Sequence, residues 1–219
     1  MVSDILKIRN PEKIAVIPHA SFTKIISNTT DRHEARTRLN LRQEDIVFLY
    51  LGLIRYYKGV IELVDSFKRL ESRNNQLVVA GSSRDDQLIG QLRKKAERLD
   101  NIHLHLKYIP NDEIHLYMNA ADVLVCPYRD VLNSGSVFLG MSFGKPIIAP
   151  RMGCIPEVLN NEHNLLYDVE EKDGLFNAIN LAVASKLRLK EMGNQNLMRA
   201  KEMDWDDIAE KTVKVYKNI

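Results

Sequence analysis

The feature that most constrains the fold is a regular alternation that begins at Asp45: short β-branched runs are followed by longer segments whose apolar residues recur at helical spacing. The run at 46–51 is the first of these, and Val60, Val64 and Phe67 then share one helical face. Strands that alternate with helices along a chain pair in parallel, and the helices cover both faces of the sheet. The sequence therefore predicts an α/β fold, a doubly wound parallel sheet with flanking helices.

The same pattern gives approximate bounds for each element. Strands are predicted at 46–51, 76–80, 102–106, 123–126, 147–149 and 164–167. Helices are predicted at 60–70, 88–99, 112–121, 134–143, 155–159, 172–184, 188–203 and 205–216. The chain is thus expected to close in helices.

The first forty residues follow a different pattern. A lone strand is predicted at 14–17, it ends at Pro18 and His19, and a polar, Thr-rich stretch follows to about Asp31. A strand this near the start of the chain, with no partner helix, is typical of the end of a larger unit. We expect 1–40 to be an interdomain strand and linker region, and 1–219 to be one half of a longer polypeptide.

Charge and composition exclude several classes of function. The chain has 219 residues, with 31 Lys+Arg against 29 Asp+Glu, so it lacks the basic excess that marks proteins binding nucleic acid. Its apolar runs are far shorter than the ~20 residues of a membrane span. The two cysteines show no C-x-x-C spacing and the six histidines no metal-ligand spacing. We expect a cytoplasmic protein with no transmembrane segment, no nucleic-acid partner, no bound metal and no cofactor.

Two loops that follow predicted strands carry the chemistry. The first, at 52–59, places Arg55 and Lys58 three residues apart at the mouth of a helix. A helix N-terminus already carries partial positive charge, so added cations make sense where an anion such as a phosphate is held. The alternative, two solvated side chains in a glycine-bounded turn, is about equally supported by the sequence.

The second loop contains Ser134, Gly135 and Ser136 at the start of an apolar helix, directly after a buried strand. Small residues there leave backbone N–H groups open to a phosphate, although simple capping by Asn133 or Ser134 explains the pattern equally well. Both loops leave the carboxyl ends of strands, where ligands of open parallel sheets bind. They are therefore expected to converge on one diphosphate. No P-loop, G-x-G-x-x-G or G-x-S-x-G motif is present, which disfavours kinases, dinucleotide dehydrogenases and esterase-type hydrolases.

Two further strand exits give weaker signals. Gly81 ends the strand at 76–80 and would allow a ligand to approach the sheet, but a turn after a strand is the commoner explanation. Tyr108, Ile109 and Pro110 could present an apolar wall to a flat ring, or could simply close a loop.

Taken in order, these residues resemble a known family. The ordered motifs are V-I-P-H at 16–19, Y-L-G at 50–52, R-Y-Y-K-G at 55–59, V-V-A-G at 78–81, Y-I-P at 108–110, A-A-D-V-L-V at 120–125, P-Y at 127–128, G-K-P-I-I-A at 144–149, Gly153 with I-P-E-V at 155–158, and M-D-W-D-D-I-A at 203–209. They cover essentially the whole chain. It resembles the C-terminal, nucleotide-sugar-binding domain of GT-B glycosyltransferases, in particular the retaining family 4, glycosyl transferases group 1.

The resemblance implies a Rossmann-like domain, the C-terminal half of a GT-B fold, that binds a UDP-, GDP- or ADP-sugar, while a missing N-terminal domain binds the acceptor. It implies that Arg55 and Lys58 hold the donor diphosphate as catalytic residues and that no metal is needed. The donor-binding residues it implies are Gly81, Tyr108, Ile109, Asp130, Asn133, Ser134, Gly135, Ser136 and Glu157. The function implied is transfer of a sugar, with retention, to a polysaccharide or lipid-linked acceptor in polysaccharide biosynthesis, with peripheral membrane attachment through the missing domain. The isolated chain is expected to be inactive.

The chain departs from the family pattern at two positions. The family carries two glutamates, one contacting the sugar and one the ribose, and here these positions are Val131 and Leu139. Asp130 is the candidate to replace the sugar contact, and nothing obvious replaces the ribose contact. Two alternatives therefore stay open: a catalytically silent nucleotide-sugar-binding module, or another GT-B enzyme such as a nucleotide-sugar epimerase.

Overall fold

In the computed structural model, which describes residues 14–72 and 74–217, six parallel strands form one sheet. The strands are β1 (Ile46–Leu51), β2 (Asn75–Ala80), β3 (Ile102–His105), β4 (Val123–Val125), β5 (Ile147–Pro150) and β6 (Leu165–Tyr167). Their order in the sheet is β3-β2-β1-β4-β5-β6. The predicted doubly wound parallel sheet is confirmed, and β1 matches its predicted bounds to the residue.

Nine α-helices are present in the described part of the chain. They are α1 (Arg32–Arg38), α2 (Val60–Lys68), α3 (Asp86–Ala96), α4 (Ile114–Ala120), α5 (Gly135–Ser142), α6 (Ile155–Val158), α7 (Gly174–Ala184), α8 (Leu189–Lys201) and α9 (Trp205–Lys217). Short 3-10 helices at Tyr56–Lys58 and Lys186–Arg188 precede α2 and α8. None of the helices in this part of the chain is long and apolar enough to cross a bilayer.

The central strand explains why helices cover both faces. All six residues of β1 are buried, and successive side chains of a strand point to opposite faces. Phe48 and Tyr50 pack with residues of α2, α3 and α7 on one face, whereas Val47 and Leu49 pack with residues of α4 and α5 on the other. A strand buried on both sides has to be apolar throughout, which is the pattern of parallel sheets.

The N-terminal region differs from its prediction in two ways. The predicted strand at 14–17 is wrong: these residues pair with no strand of the sheet. The predicted linker also contains α1, in which the Asp31 carboxylate accepts a hydrogen bond from the Glu34 backbone N–H at 2.8 Å. The part of the predicted linker at 1–13 lies outside the described residues.

Buried Arg36 fixes α1 to the sheet. Its guanidinium donates to the carbonyl of Ala120 at 2.9 Å and to that of Asp45 at 2.8 Å, and it pairs with the Asp122 carboxylate at 2.6 Å. Arg36 therefore anchors α1 to the segments that lead into β1 and β4.

Candidate functional site

The sheet has one topological switch point, between β1 and β4. From β1 the chain winds outward through β2 to β3, and it then returns to β4 on the opposite side of β1. The loops after these two neighbouring strands leave in opposite directions, which opens a crevice at their carboxyl ends. The two loops singled out in the sequence, at 52–59 and 127–136, follow β1 and β4 and flank this crevice.

The two loops pack directly on each other. The Arg129 backbone N–H donates to the Tyr57 carbonyl at 2.8 Å. Gly59 has a φ of 67°, and a Cβ at this position would lie 1.8 Å from the Pro127 carbonyl oxygen. Only glycine fits such a close approach in a left-handed conformation. This contact sets where the preceding residue, Lys58, is held.

Lys58 is half-buried and lies against aromatic rings. Its Nζ is 4.2 Å from the centroid of the Tyr128 ring and 5.5 Å from that of Tyr57. Burial, and then the neighbouring charge of Arg55, lower the pKa of the Lys58 ammonium from its ordinary value. No carboxylate among the described residues lies within ion-pair distance of Nζ, so its charge is uncompensated locally.

Tyr128 also contacts the start of α5. Its hydroxyl and the Ser134 Oγ are 2.7 Å apart, and both side chains are buried. Ser134 occupies the N-cap position of α5 without a side-chain bond to that helix. The backbone N–H groups of Gly135 and Ser136 find no acceptor in the described part of the chain, as is usual for a first helical turn. Lys58 and the helix N-terminus are thus linked through one tyrosine.

Beside this point lies a cavity of about 370 Å³. Its backbone-rich side is formed by Gly52, Gly81, Gly135 and Ser136. Gly81 has a φ of 154°, and a Cβ there would lie 1.8 Å from the Gly52 carbonyl oxygen. The loop at 52–59, the strand exit at Gly81 and the start of α5 therefore meet at one cavity, which is open to a ligand lying along the ends of the strands.

The opposite wall of the cavity is apolar. Predicted residues Tyr108 and Ile109 contribute to it, together with Leu139 of α5. Residues that the sequence analysis missed complete it: Phe22, Ile25 and Ile26. Their spacing of i, i+3 and i+4 was the available signal, but in a stretch this short it was not distinguishable from a linker.

The remaining predicted residues, Lys58 among them, are not part of the lining of this cavity. Arg55 is exposed and lines an adjoining groove with Ser82 and Arg84, and Tyr108 lines both groove and cavity. Asn133, Ser134 and Glu157 line a second cavity of about 330 Å³ together with His19 and Arg199. Asp130 is exposed and lines neither cavity.

The two positions that depart from the family pattern carry apolar residues, and both side chains lie among other apolar residues. Leu139 is buried in the wall of the first cavity, and Val131 is half-buried beside the same apolar core. No group of three His, Cys, Asp or Glu side chains among residues 14–72 and 74–217 is arranged to hold a metal ion.

Comparison with known proteins identifies the same architecture. The family described as Glycosyl transferases group 1 matches residues 31–198. A lipopolysaccharide 1,2-N-acetylglucosaminetransferase from Salmonella typhimurium is 24% identical over 94% of this chain and 56% of its own length. A GDP-mannose:glycolipid 4-beta-D-mannosyltransferase from Xanthomonas campestris is 28% identical over 47% of this chain and 29% of its own length.

Solved structures share the fold. The Anabaena protein HepE, in complex with UDP and glucose, superposes with a TM-score of 0.80 at 16% identity, over 94% of this chain and 57% of that one. The chain thus spans about half the length, or less, of the relatives it matches.

Proposed function

The chain belongs to the glycosyl transferases group 1 family, and from this premise we propose that it is the donor domain of a glycosyltransferase. It binds a nucleoside-diphosphate sugar at the crevice between β1 and β4. In the reaction, the bond between the anomeric carbon and the donor phosphate oxygen breaks, and a bond from that carbon to an acceptor oxygen forms. The nucleoside diphosphate leaves with the electron pair, and the proton of the acceptor hydroxyl passes to the departing phosphate oxygen.

The observation that carries this proposal is the arrangement around Tyr128. An uncompensated ammonium, Lys58, contacts the Tyr128 ring, and the Tyr128 hydroxyl contacts Ser134 at the start of α5, whose next residues, Gly135 and Ser136, line a cavity with an apolar wall. An ammonium and helix N–H groups are donors that suit a diphosphate. An apolar wall suits the face of a nucleobase.

Each predicted residue has a role in this proposal. Lys58 and Arg55 neutralise the charge that develops on the leaving diphosphate, a form of electrostatic stabilisation that often dominates catalysis. Gly135 and Ser136 donate N–H groups, Gly81 permits the close approach, and Tyr108 and Ile109 lie beside the base. The sugar side is formed by Asp130, Asn133, Ser134 and Glu157.

The finer parts of the proposal concern the whole enzyme. We propose that transfer proceeds with retention to a polysaccharide or lipid-linked acceptor, and that a further domain binds this acceptor. The Salmonella and Xanthomonas relatives, a lipopolysaccharide and a glycolipid glycosyltransferase, support the acceptor class. The chain's share of those relatives' length supports the second domain.

A thermal-shift panel tests the donor assignment. UDP, GDP and ADP, and their glucose or mannose conjugates, are added to the chain, because a ligand that binds only the folded state raises the melting temperature. We expect one of the three bases to give a concentration-dependent rise. Equal melting temperatures with and without all of them would contradict the proposal.

One observation favours a second candidate, a catalytically silent binding module. Leu139 places an apolar side chain in the cavity wall at the position where the resemblance implies a ribose-binding glutamate. A silent module would bind a nucleotide sugar but would not cleave it, so no nucleoside diphosphate would form. Hydrolysis or transfer of a bound donor by the longest available form of the protein separates the two candidates.

A further inference from the structure

We propose that Tyr128 is a positioning residue of the donor site: its ring holds the Lys58 ammonium and its hydroxyl holds Ser134, so that the cation and the start of α5 face one diphosphate. This inference rests on the proposed donor function. It concerns a side chain that belongs to one of the sequence motifs, P-Y at 127–128, but to which the sequence assigned no role.

A side-chain contact and a backbone contact together fix Lys58 against the Tyr128 ring. Tyr128 is 2% exposed, and the Lys58 Nζ lies 4.2 Å from its ring centroid, within the range of a cation–π interaction. Lys58 ends a 3-10 helix, and the next residue, Gly59, is held against Pro127, the residue before Tyr128. The backbone contact and the side-chain contact therefore join the same two loops.

A ring serves this position better than a carboxylate would. An ion pair with Asp or Glu would hold Lys58 equally well, but it would cancel the charge that attracts a phosphate. The face of an aromatic ring attracts an ammonium and carries no net charge. Because no carboxylate of the described residues lies within ion-pair distance, Lys58 is held in place and keeps its full positive charge.

The hydroxyl of the same side chain acts on α5. It is 2.7 Å from Ser134 Oγ, and Ser134 makes no side-chain cap bond to its own helix. A serine at this position commonly accepts a hydrogen bond from the N–H two or three residues ahead. Since Tyr128 engages the hydroxyl instead, the N–H of Ser136 stays available beside that of Gly135, which a side-chain cap does not reach.

A double-mutant cycle tests the inference. The variants are Lys58→Ala, Tyr128→Met and the double variant, with Tyr128→Phe as the conservative control. Methionine fills irregular core space without an aromatic face. Each protein is titrated with whichever of UDP, GDP or ADP binds the wild type most tightly, and with the parent nucleoside, which lacks phosphate.

We expect Tyr128→Met to weaken diphosphate binding by about 10-fold, the scale of a partly desolvated cation–π contact, with nucleoside binding unchanged. Tyr128→Phe keeps the ring and loses only the contact with Ser134, so it is expected to weaken diphosphate binding by about 3-fold, less than Tyr128→Met does. The double variant should bind no more weakly than Lys58→Ala, because both changes remove the same interaction. If the losses of diphosphate affinity in the two single variants add up in the double variant, the positioning role of Tyr128 is overturned but the donor assignment is not. The same holds if Tyr128→Met binds the diphosphate as tightly as the wild type.

Two outcomes distinguish failure of the donor assignment from failure of the positioning role. A wild type that binds none of the three diphosphates would overturn both. A wild type that binds, and that loses binding in Lys58→Ala but not in Tyr128→Met, would overturn only the role of Tyr128. If Tyr128→Met does not unfold cooperatively, side-chain NMR of the wild type decides: the ring should shift the Lys58 ε-methylene protons upfield, and absence of that shift would overturn the contact.

Discussion

Lys58 is the residue on which the proposed chemistry depends most. It is a half-buried cation with an aromatic neighbour in place of a carboxylate, at the switch point of the sheet. Arg55, three residues earlier, is exposed and lines the adjoining groove. The two cations are therefore expected to act from different sides of a bound diphosphate.

Alanine substitutions separate their contributions. Lys58→Ala and Arg55→Ala should each weaken binding of the preferred nucleoside diphosphate by ~1–3 kcal/mol, the scale of a lost charge-assisted hydrogen bond. Matched controls are Lys190→Ala and Arg188→Ala, which remove exposed cations around the start of α8. Calorimetric titration measures all four. If both Lys58→Ala and Arg55→Ala bind the diphosphate as the wild type does, the phosphate site does not include these two residues.

The pH dependence of binding provides a second prediction for Lys58. Its pKa lies below the roughly 10.4 of a free lysine, so its charge is lost earlier as the pH rises. Burial raises the pKa of neighbouring Cys126 to about 11 and also raises that of Tyr128, so these two stay neutral where Lys58 titrates. The other titratable or charged groups beside Lys58 are Tyr57 and Arg55. Diphosphate affinity should therefore fall with rising pH below the ordinary lysine range.

The control for this profile is Lys58→Arg, which keeps a cation that does not deprotonate in proteins. Its affinity should stay level over the interval in which that of the wild type falls. Parallel profiles for the two proteins would show that another group titrates.

At the scale of the element, close backbone approaches place the strand exits. Gly52 and Gly81 directly follow β1 and β2, and their backbones are in contact. The backbone of Gly81 lies so close to the Gly52 carbonyl that there is no room for a side chain. Gly81→Ala should lower the free energy of unfolding by about 1–3 kcal/mol, because a Cβ 1.8 Å from that oxygen forces the strand exits apart. Gly90→Ala is the matched control: no atom lies within 4 Å of its added Cβ in α3, and helix propensity predicts stabilisation of up to ~1 kcal/mol. Urea denaturation compares them, and equal effects would contradict the steric argument.

Helix α1 provides a test of where the domain begins. Arg36→Ala should lower the free energy of unfolding by ~3–5 kcal/mol, since it leaves buried carbonyls and Asp122 without their partner. Arg38→Ala, an exposed residue of the same helix, should change it by ~0.5 kcal/mol or less. Similar losses in the two variants would mean that α1 is not part of the cooperative unit.

These elements also show what the sequence could predict. β1 was predicted to the residue because six consecutive apolar residues leave no alternative to a doubly covered strand. The strand at 14–17 was wrong because β-branched residues predict an extended chain but not a pairing partner, which only the tertiary fold provides. The signal for α1 was present: Asp31 followed three residues later by Glu34 is a helix start, and it was outweighed by the polar composition of the stretch.

At the scale of the whole molecule, the sequence predicted which loops meet but not how they meet. Lys58 and Ser134 are 76 positions apart, and the side chain that joins them, Tyr128, lies in the P-Y motif at 127–128, which gave no indication of either contact. The apolar wall from Phe22, Ile25 and Ile26 was equally hidden, because it comes from a segment that precedes the alternating pattern. Convergence of distant segments depends on packing, which local periodicity does not encode.

If this chain binds the donor and a further domain binds the acceptor, as proposed, one prediction follows for the 219-residue chain. It should bind its nucleotide sugar weakly and transfer no sugar, because the surface proposed to hold the acceptor is not in these 219 residues. Incubation with radiolabelled UDP- or GDP-sugars and lipid-linked or oligosaccharide acceptors measures this. Labelled product formed by the chain alone would contradict this division between domains.

The most direct test of the central claim is an NMR titration of the ¹⁵N-labelled chain with the nucleoside diphosphate that gives the largest thermal shift. We predict the largest amide shifts at 52–59, at Gly81, and at Gly135 and Ser136, with the residues around 186–190 unmoved. Shifts concentrated away from the β1 and β4 loops, or none at all at saturating diphosphate, would contradict the account.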